Sequence, residues 1–168
     1  PDIHYIFLPF DVKAFREQYP PIEDHNSIPL VTHAPTNRYY KGSDDIIPIC
    51  RRLEKEGKIR SELIENKPHE VAMQMKRRSD IFIDQINDRG GWGYGMNSVE
   101  SLAMGVCTAT EMNNTYCDFL PDHPFVNVNK HNLYEKLSAL AGDNKIKETY
   151  AAKSIAWVQT YHDIASVG

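Results

Sequence analysis

Apolar and β-branched positions in this chain fall into short unbroken runs rather than alternating with polar ones. That is the pattern of strands covered on both faces of a parallel sheet. Runs at 28–32, 61–65, 81–85 and 106–110 predict four such strands, and a shorter run at 125–128, after the Pro121 and Pro124 loop, predicts a fifth. Between and after them, apolar residues recur at helical spacing over 44–56, 68–78, 96–104, 132–140 and 145–161. This alternation predicts an α/β fold: a Rossmann-like, open and mostly parallel sheet flanked by helices, with ligands bound at the carboxyl ends of the strands. Residues 1–24 do not fit the alternation. Pro9, Pro20 and Pro21 and the mixed charges at 13–17 mark them as an interdomain linker, leaving 25–168 as one binding domain.

The loops that follow the predicted strands carry the chemistry. After 81–85 comes Gly90-Gly91-Trp92-Gly93-Tyr94-Gly95, which runs directly into a helix starting at Met96-Asn97. Free backbone N–H groups and the positive helix end converge there, and glycine lets an anion approach the backbone closely, so Gly93, Gly95, Met96 and Asn97 form a candidate phosphate cradle. Glu100 lies about one turn inside this helix, where it could accept hydrogen bonds from a sugar hydroxyl. A tight turn followed by an exposed Glu explains the same residues as well. After 28–32 comes His33-Ala34-Pro35-Thr36-Asn37-Arg38-Tyr39-Tyr40-Lys41-Gly42-Ser43. Arg38 and Lys41 place two cations at the same predicted edge, able to neutralise a diphosphate, although taken alone such a loop is more often simply a solvated basic one.

Together these stretches resemble the C-terminal domain of retaining GT-B glycosyltransferases of the family-four, or glycosyl transferase group 1, type. There a basic loop ending in Lys-Gly follows the first strand, and a Gly-aromatic-Gly loop leads into a helix beginning Glu-Ala-Met-Ala-any-Gly. Lys41-Gly42 matches the first, and Gly93-Tyr94-Gly95 with Glu100-Ser101-Leu102-Ala103-Met104-Gly105 matches the second. Leu8-Pro9-Phe10-Asp11-Val12-Lys13-Ala14-Phe15 resembles the interdomain junction of that family, and Arg78-Ser79-Asp80-Ile81-Phe82-Ile83 its Ala-Asp strand start. The resemblance covers nearly the whole chain in the family's order.

It implies that Lys41 and Arg38 bind the donor diphosphate and assist departure of the leaving group. Glu100 would hold the ribose, and Gly93, Tyr94, Gly95, Met96 and Asn97 the phosphates. His33 is a further candidate at the strand end, against the commoner reading of a local structural contact. The family's first motif Glu, which contacts the donor sugar, falls at Trp92; an indole cannot accept those bonds, although it can stack on a sugar. The implied reaction is metal-independent and retaining, needs no cofactor, and uses a nucleotide-diphosphate sugar such as a UDP- or GDP-sugar. The acceptor, a glycan or a lipid-linked molecule, would be bound by an N-terminal domain absent from this chain. This chain alone is accordingly expected to bind nucleotide weakly and to transfer no sugar.

Composition narrows the alternatives. A net charge of −4 argues against nucleic acid as a partner, since phosphate-backbone affinity requires many uncompensated cations. Cys50, Cys107 and Cys117 form neither a CxxC pair nor an even disulfide framework, which points to a reducing, cytoplasmic setting; peripheral association of the full enzyme with the inner membrane face remains open. Against a glycosyltransferase stands an NAD(P)-dependent oxidoreductase: Gly93-Tyr94-Gly95-Met96-Asn97-Ser98 nearly satisfies Gly-x-Gly-x-x-Gly, and Glu111 follows the next strand. That motif normally opens its fold, however, and here it follows the third predicted strand. A non-catalytic GT-B-like module is the other alternative, and Trp92 is its best argument. His69 is read as surface capping, Asn113-Asn114-Thr115 as an incidental sequon, and the aromatic residues at 157–162 as core packing.

Overall fold

The computed structural model describes residues 7–22, 26–89 and 93–167. Among them five short strands form one wholly parallel sheet: β1 (Leu30–His33), β2 (Arg60–Leu63), β3 (Ile81–Ile83), β4 (Cys107–Thr110) and β5 (Val126–Asn127), in the order β2-β1-β3-β4-β5. The α/β architecture is the one the apolar runs predict. All residues of β1, β3 and β4 are buried, as strands with helices on both faces must be, whereas the edge strand β2 is only half covered. The first strand starts later than its apolar run suggests: Ile28 is exposed and Pro29 lacks the N–H a ladder needs. Its last residue is His33.

Helices α2 (Ser43–Lys55) and α6 (Leu133–Ala141) cover one face, where Ile46, Leu53, Leu133 and Leu137 pack on Val31, Ile81, Ile83 and Ala109. On the other face α3 (His69–Arg77) and α4 (Met96–Ala103) contribute to two further clusters, Met73 packing with Phe82 and Val99 and Leu102 with Trp157 of α7 (Asn144–Tyr161). Three short helices have no counterpart in the predicted pattern: α1 (Val12–Gln18), α5 (Asn114–Phe119) and α8 (Ile164–Val167). The Asp11 carboxylate caps α1 by accepting from the Ala14 N–H, while Val12 and Tyr19 are buried against the second face. The Asn113 side chain likewise caps α5, accepting from the Tyr116 N–H, so the sequon begins a helix.

From β1 the chain moves outward to β2, then returns across β1 to β3 and continues in the other direction. Strand order therefore reverses between β1 and β3, and the helices that follow these two strands, α2 and α4, pack on opposite faces of the sheet. In open parallel sheets this switch point is where ligands bind.

Candidate functional site

The two motif loops are the loops that flank this switch point. Residues 34–42 follow β1 and residues 84–95 follow β3, and β1 and β3 are paired in register from Val31↔Ile81 to His33↔Ile83. Gly42 shows how closely the two loops pack. It takes φ +68°, and a Cβ there would stand 2.5 Å from the Ile86 carbonyl oxygen, so only glycine fits. Gly93 is held similarly at φ +68°, with a Cβ position 2.9 Å from Met112 Sδ, while Thr110 donates its hydroxyl proton to the Gly93 carbonyl at 2.5 Å.

Side chains complete the connection. The Lys41 ammonium donates to Asp84 Oδ1 at 2.5 Å and to Gln85 Oε1 at 2.9 Å. The other oxygen of Asp84, Oδ2, accepts from the Ser98 hydroxyl at 2.6 Å, within the first turn of α4. Lys41 is thus joined through one buried carboxylate to the helix end that the Gly-rich loop feeds. Gly95 is the extended N-cap of α4 and supplies no side-chain cap. The first N–H groups of that helix point out of its end, as the helical hydrogen-bond pattern requires.

Between the β1 loop, the β2–α3 loop and the facing sides of α3 and α4 lies an open cleft of about 900 Å³. Arg38, Lys76, Met96, Asn97 and Glu100 are among the residues that line it. Arg38 is exposed and forms a bidentate pair with Glu65 across the mouth, its Nε 2.8 Å and its Nη2 2.5 Å from the two carboxylate oxygens. This pairing raises the Arg38 pKa and lowers that of Glu65. Glu100 meets the ammonium of Lys76 at 2.7 Å. Asn97 donates its side-chain amide to the Ala34 carbonyl at 2.7 Å, tying α4 to the β1 loop.

The structure brings Arg38, Met96, Asn97 and Glu100 into one cleft and links Lys41 to its α4 wall. Two other candidates have their side chains turned elsewhere. His33 is buried with both ring nitrogens engaged: Nδ1 lies 2.9 Å from the Ile83 carbonyl and Nε2 lies 2.8 Å from Ser43 Oγ. A carbonyl only accepts, so Nδ1 carries the proton and Nε2 accepts from the serine hydroxyl. Burial lowers the His33 pKa, which favours this neutral form. The imidazole pins β1, β3 and the start of α2 together. Tyr94 packs its ring on Phe125 and Trp157, with its hydroxyl 3.2 Å from His162 Nε2, so any ligand contact it makes is through its backbone. Trp92 lies outside the described residues.

Two residues that sequence reading passed over occupy central positions. Asp84 ends the apolar run Ile81-Phe82-Ile83, and a carboxylate closing a buried strand was a legible sign. Lys76 follows Met73 by three positions, which places it on the inward face of α3. Among the described residues no group of three or more His, Cys, Asp or Glu side chains is arranged to hold a metal ion, and no helix is long and apolar enough to cross a membrane.

No family model matches the sequence, and no curated protein matches it. Solved structures do match. The Francisella tularensis LpcC domain, the C-terminal domain of a glycosyl transferase group 1 family protein, superposes with a TM-score of 0.58 at 15% identity, over 95% of this chain and 97% of that one. Anabaena Alr3699/HepE in complex with UDP-glucose gives a TM-score of 0.66 at 13% identity, over 96% of this chain and 54% of that one. S. aureus TarM, solved with Fondaparinux, alpha-GlcNAc-glycerol and UDP, gives 0.66 at 8% identity, over 88% of this chain and 35% of that one. The chain thus spans about a third to a half of the longer proteins and nearly all of the single domain. With one parallel sheet, a switch point flanked by the Lys-Gly and Gly-aromatic-Gly loops, and these superpositions, the chain has the fold of the C-terminal domain of GT-B glycosyltransferases.

Proposed function

We propose that the cleft between α3 and α4 binds the nucleoside diphosphate of a sugar donor, and that this domain serves glycosyl transfer to an acceptor held by a second, N-terminal domain. The observation that carries this reading is that Lys41, beside the switch point, is joined through Asp84 to the first turn of α4, whose Asn97 and Glu100 line the cleft. In the proposed mode Glu100 accepts from the ribose, and the N–H groups of Gly95, Met96 and Asn97 face the phosphates with the positive end of the helix behind them. Lys41 and Arg38 neutralise the diphosphate as the sugar–phosphate bond breaks, so leaving-group stabilisation rests on fixed cations and a helix end rather than on a metal. The transfer would retain anomeric configuration, as in the family the sequence resembles. Both cations already hold carboxylates, Asp84 and Glu65, and the diphosphate must compete with these for their protons. His33 supports the site from beneath by fixing Ser43, next to Gly42.

Calorimetric titration of the purified chain with UDP, GDP and NADH tests the reading. Binding of a nucleoside diphosphate with no response to NADH is the expected result, together with no sugar transfer by this chain alone. Binding of NADH without either diphosphate would replace the proposal with a dinucleotide site.

A further inference from the structure

Lys76 has no exposed surface although it ends in a charge, and the contacts proposed above leave it without a role. Its ammonium donates to Glu100 Oε2 at 2.7 Å, to Asn97 Oδ1 at 2.5 Å and to the Asn97 carbonyl at 3.3 Å, and it stands 5.0 Å above the Phe82 ring. Three N–H donors meet three acceptors, which is what makes a lysine tolerable in an interior. Burial lowers its pKa, and the neighbouring Glu100 and Asp84 oppose that shift while Lys41 adds to it. All three acceptors belong to α4, and Asn97 passes the connection on to the Ala34 carbonyl in the β1 loop. One side chain of α3 therefore reaches both the carboxylate and the helix end of the cleft.

We infer that Lys76 is a positioning residue for ribonucleoside recognition. It holds Glu100 with Oε2 occupied, leaving Oε1 as the oxygen that meets a ribose hydroxyl, and through Asn97 it clamps the end of α4 against the β1 loop. The ribose part of this inference rests on the nucleotide reading given above; the clamp does not. The ligand class it selects is a nucleoside diphosphate with free ribose hydroxyls, over one without them.

Lys76→Met keeps most of the side chain's length and its packing on Phe82 and removes the ammonium, with its charge and its three N–H donors. Its affinity for UDP should fall at least tenfold, while affinity for 2′,3′-dideoxyuridine diphosphate, which loses only the clamp on the phosphate end, should fall several-fold less. In a Glu100→Gln background the same replacement should cost no further preference for UDP over the dideoxy compound. Lys76→Arg, which keeps the charge, should preserve the preference for UDP and remains informative if the Met variant does not fold. Equal losses for the two ligands, a further loss of preference in the double variant, or lost preference in Lys76→Arg would overturn the ribose role and leave a merely structural lysine. Crystal structures of the unliganded wild type and Lys76→Met read the clamp separately: Glu100 and Asn97 should shift away from their wild-type positions. Unmoved side chains overturn the clamp whatever nucleotide binds, whereas a wild type that binds neither UDP nor GDP, with the side chains displaced in the variant, rejects the nucleotide reading and the ribose role but not the clamp.

Discussion

Lys41 and Asp84, 43 positions apart in sequence, form an ion pair at 2.5 Å in which the carboxylate is wholly buried and the lysine side chain is 14% exposed. The pair makes the phosphate-binding candidate part of the scaffold as well. Asp84 is held from the other side by Ser98, so its partner and the first turn of α4 are set by the same group. Removing Lys41 therefore has two consequences that must be separated.

Lys41→Met should destabilise the fold by about 3–5 kcal/mol, because it leaves a buried carboxylate uncompensated. It should also weaken UDP binding by about 1.5–3 kcal/mol through the lost charge-assisted contact. Combining it with Asp84→Asn should restore most of the stability but none of the UDP affinity. Chemical denaturation and calorimetry on the three proteins measure both quantities. If the double variant regains affinity along with stability, Lys41 acts on the scaffold alone.

Glu100→Gln keeps the size and one acceptor of the side chain but loses the charge, so uridine and UDP should weaken together, by about 1–2 kcal/mol. Titration with both ligands checks this. A loss restricted to UDP would move Glu100 from the ribose to the phosphate side of the cleft.

Buried histidine gives the fold an acid limit. The His33 pKa is lowered in the folded state by burial, and burial likewise lowers those of His123 and His162. Below the ordinary value of 6.5 the unfolded chain binds protons that the native chain refuses, so the stability these residues contribute is present above that pH and is lost as pH falls below it. Thermal midpoints should drop as pH falls below about 6.5, and less steeply in His33→Gln. An identical pH slope in that variant would show that His33 does not contribute to it.

Gly42 and Gly57 both have positive φ, +68° and +71°, but a Cβ at Gly57 meets nothing within 4 Å whereas one at Gly42 meets the Ile86 carbonyl. Gly57→Ala should cost about 1–2 kcal/mol, the strain of a left-handed alanine. Gly42→Ala should cost distinctly more, because the loops after β1 and β3 would have to separate. Equal losses in denaturant midpoint would mean that the close contact of these loops is unimportant.

The sequence by itself determined the parallel α/β sheet, since unbroken apolar runs divided by helical periods leave few other ways to bury them. It also determined that a Lys-Gly loop and a Gly-aromatic-Gly loop follow strands, because glycine marks the positions where backbone must turn left-handed or approach closely. Helix α1 was not legible. Its seven residues gain their place from Val12 and Tyr19 packing on distant elements, and the surrounding prolines read as linker. The orientation of the site was decided by tertiary structure. His33 and Tyr94 stand beside the motif residues in sequence yet direct their side chains into the scaffold, while Lys76 and Asp84, outside every motif, pair with Glu100 and Lys41. Such pairings depend on which strands become neighbours, and strand order is a property of the whole sheet: β3 lies beside β1 because the chain reverses there, and only then do charges 24 and 43 residues apart meet.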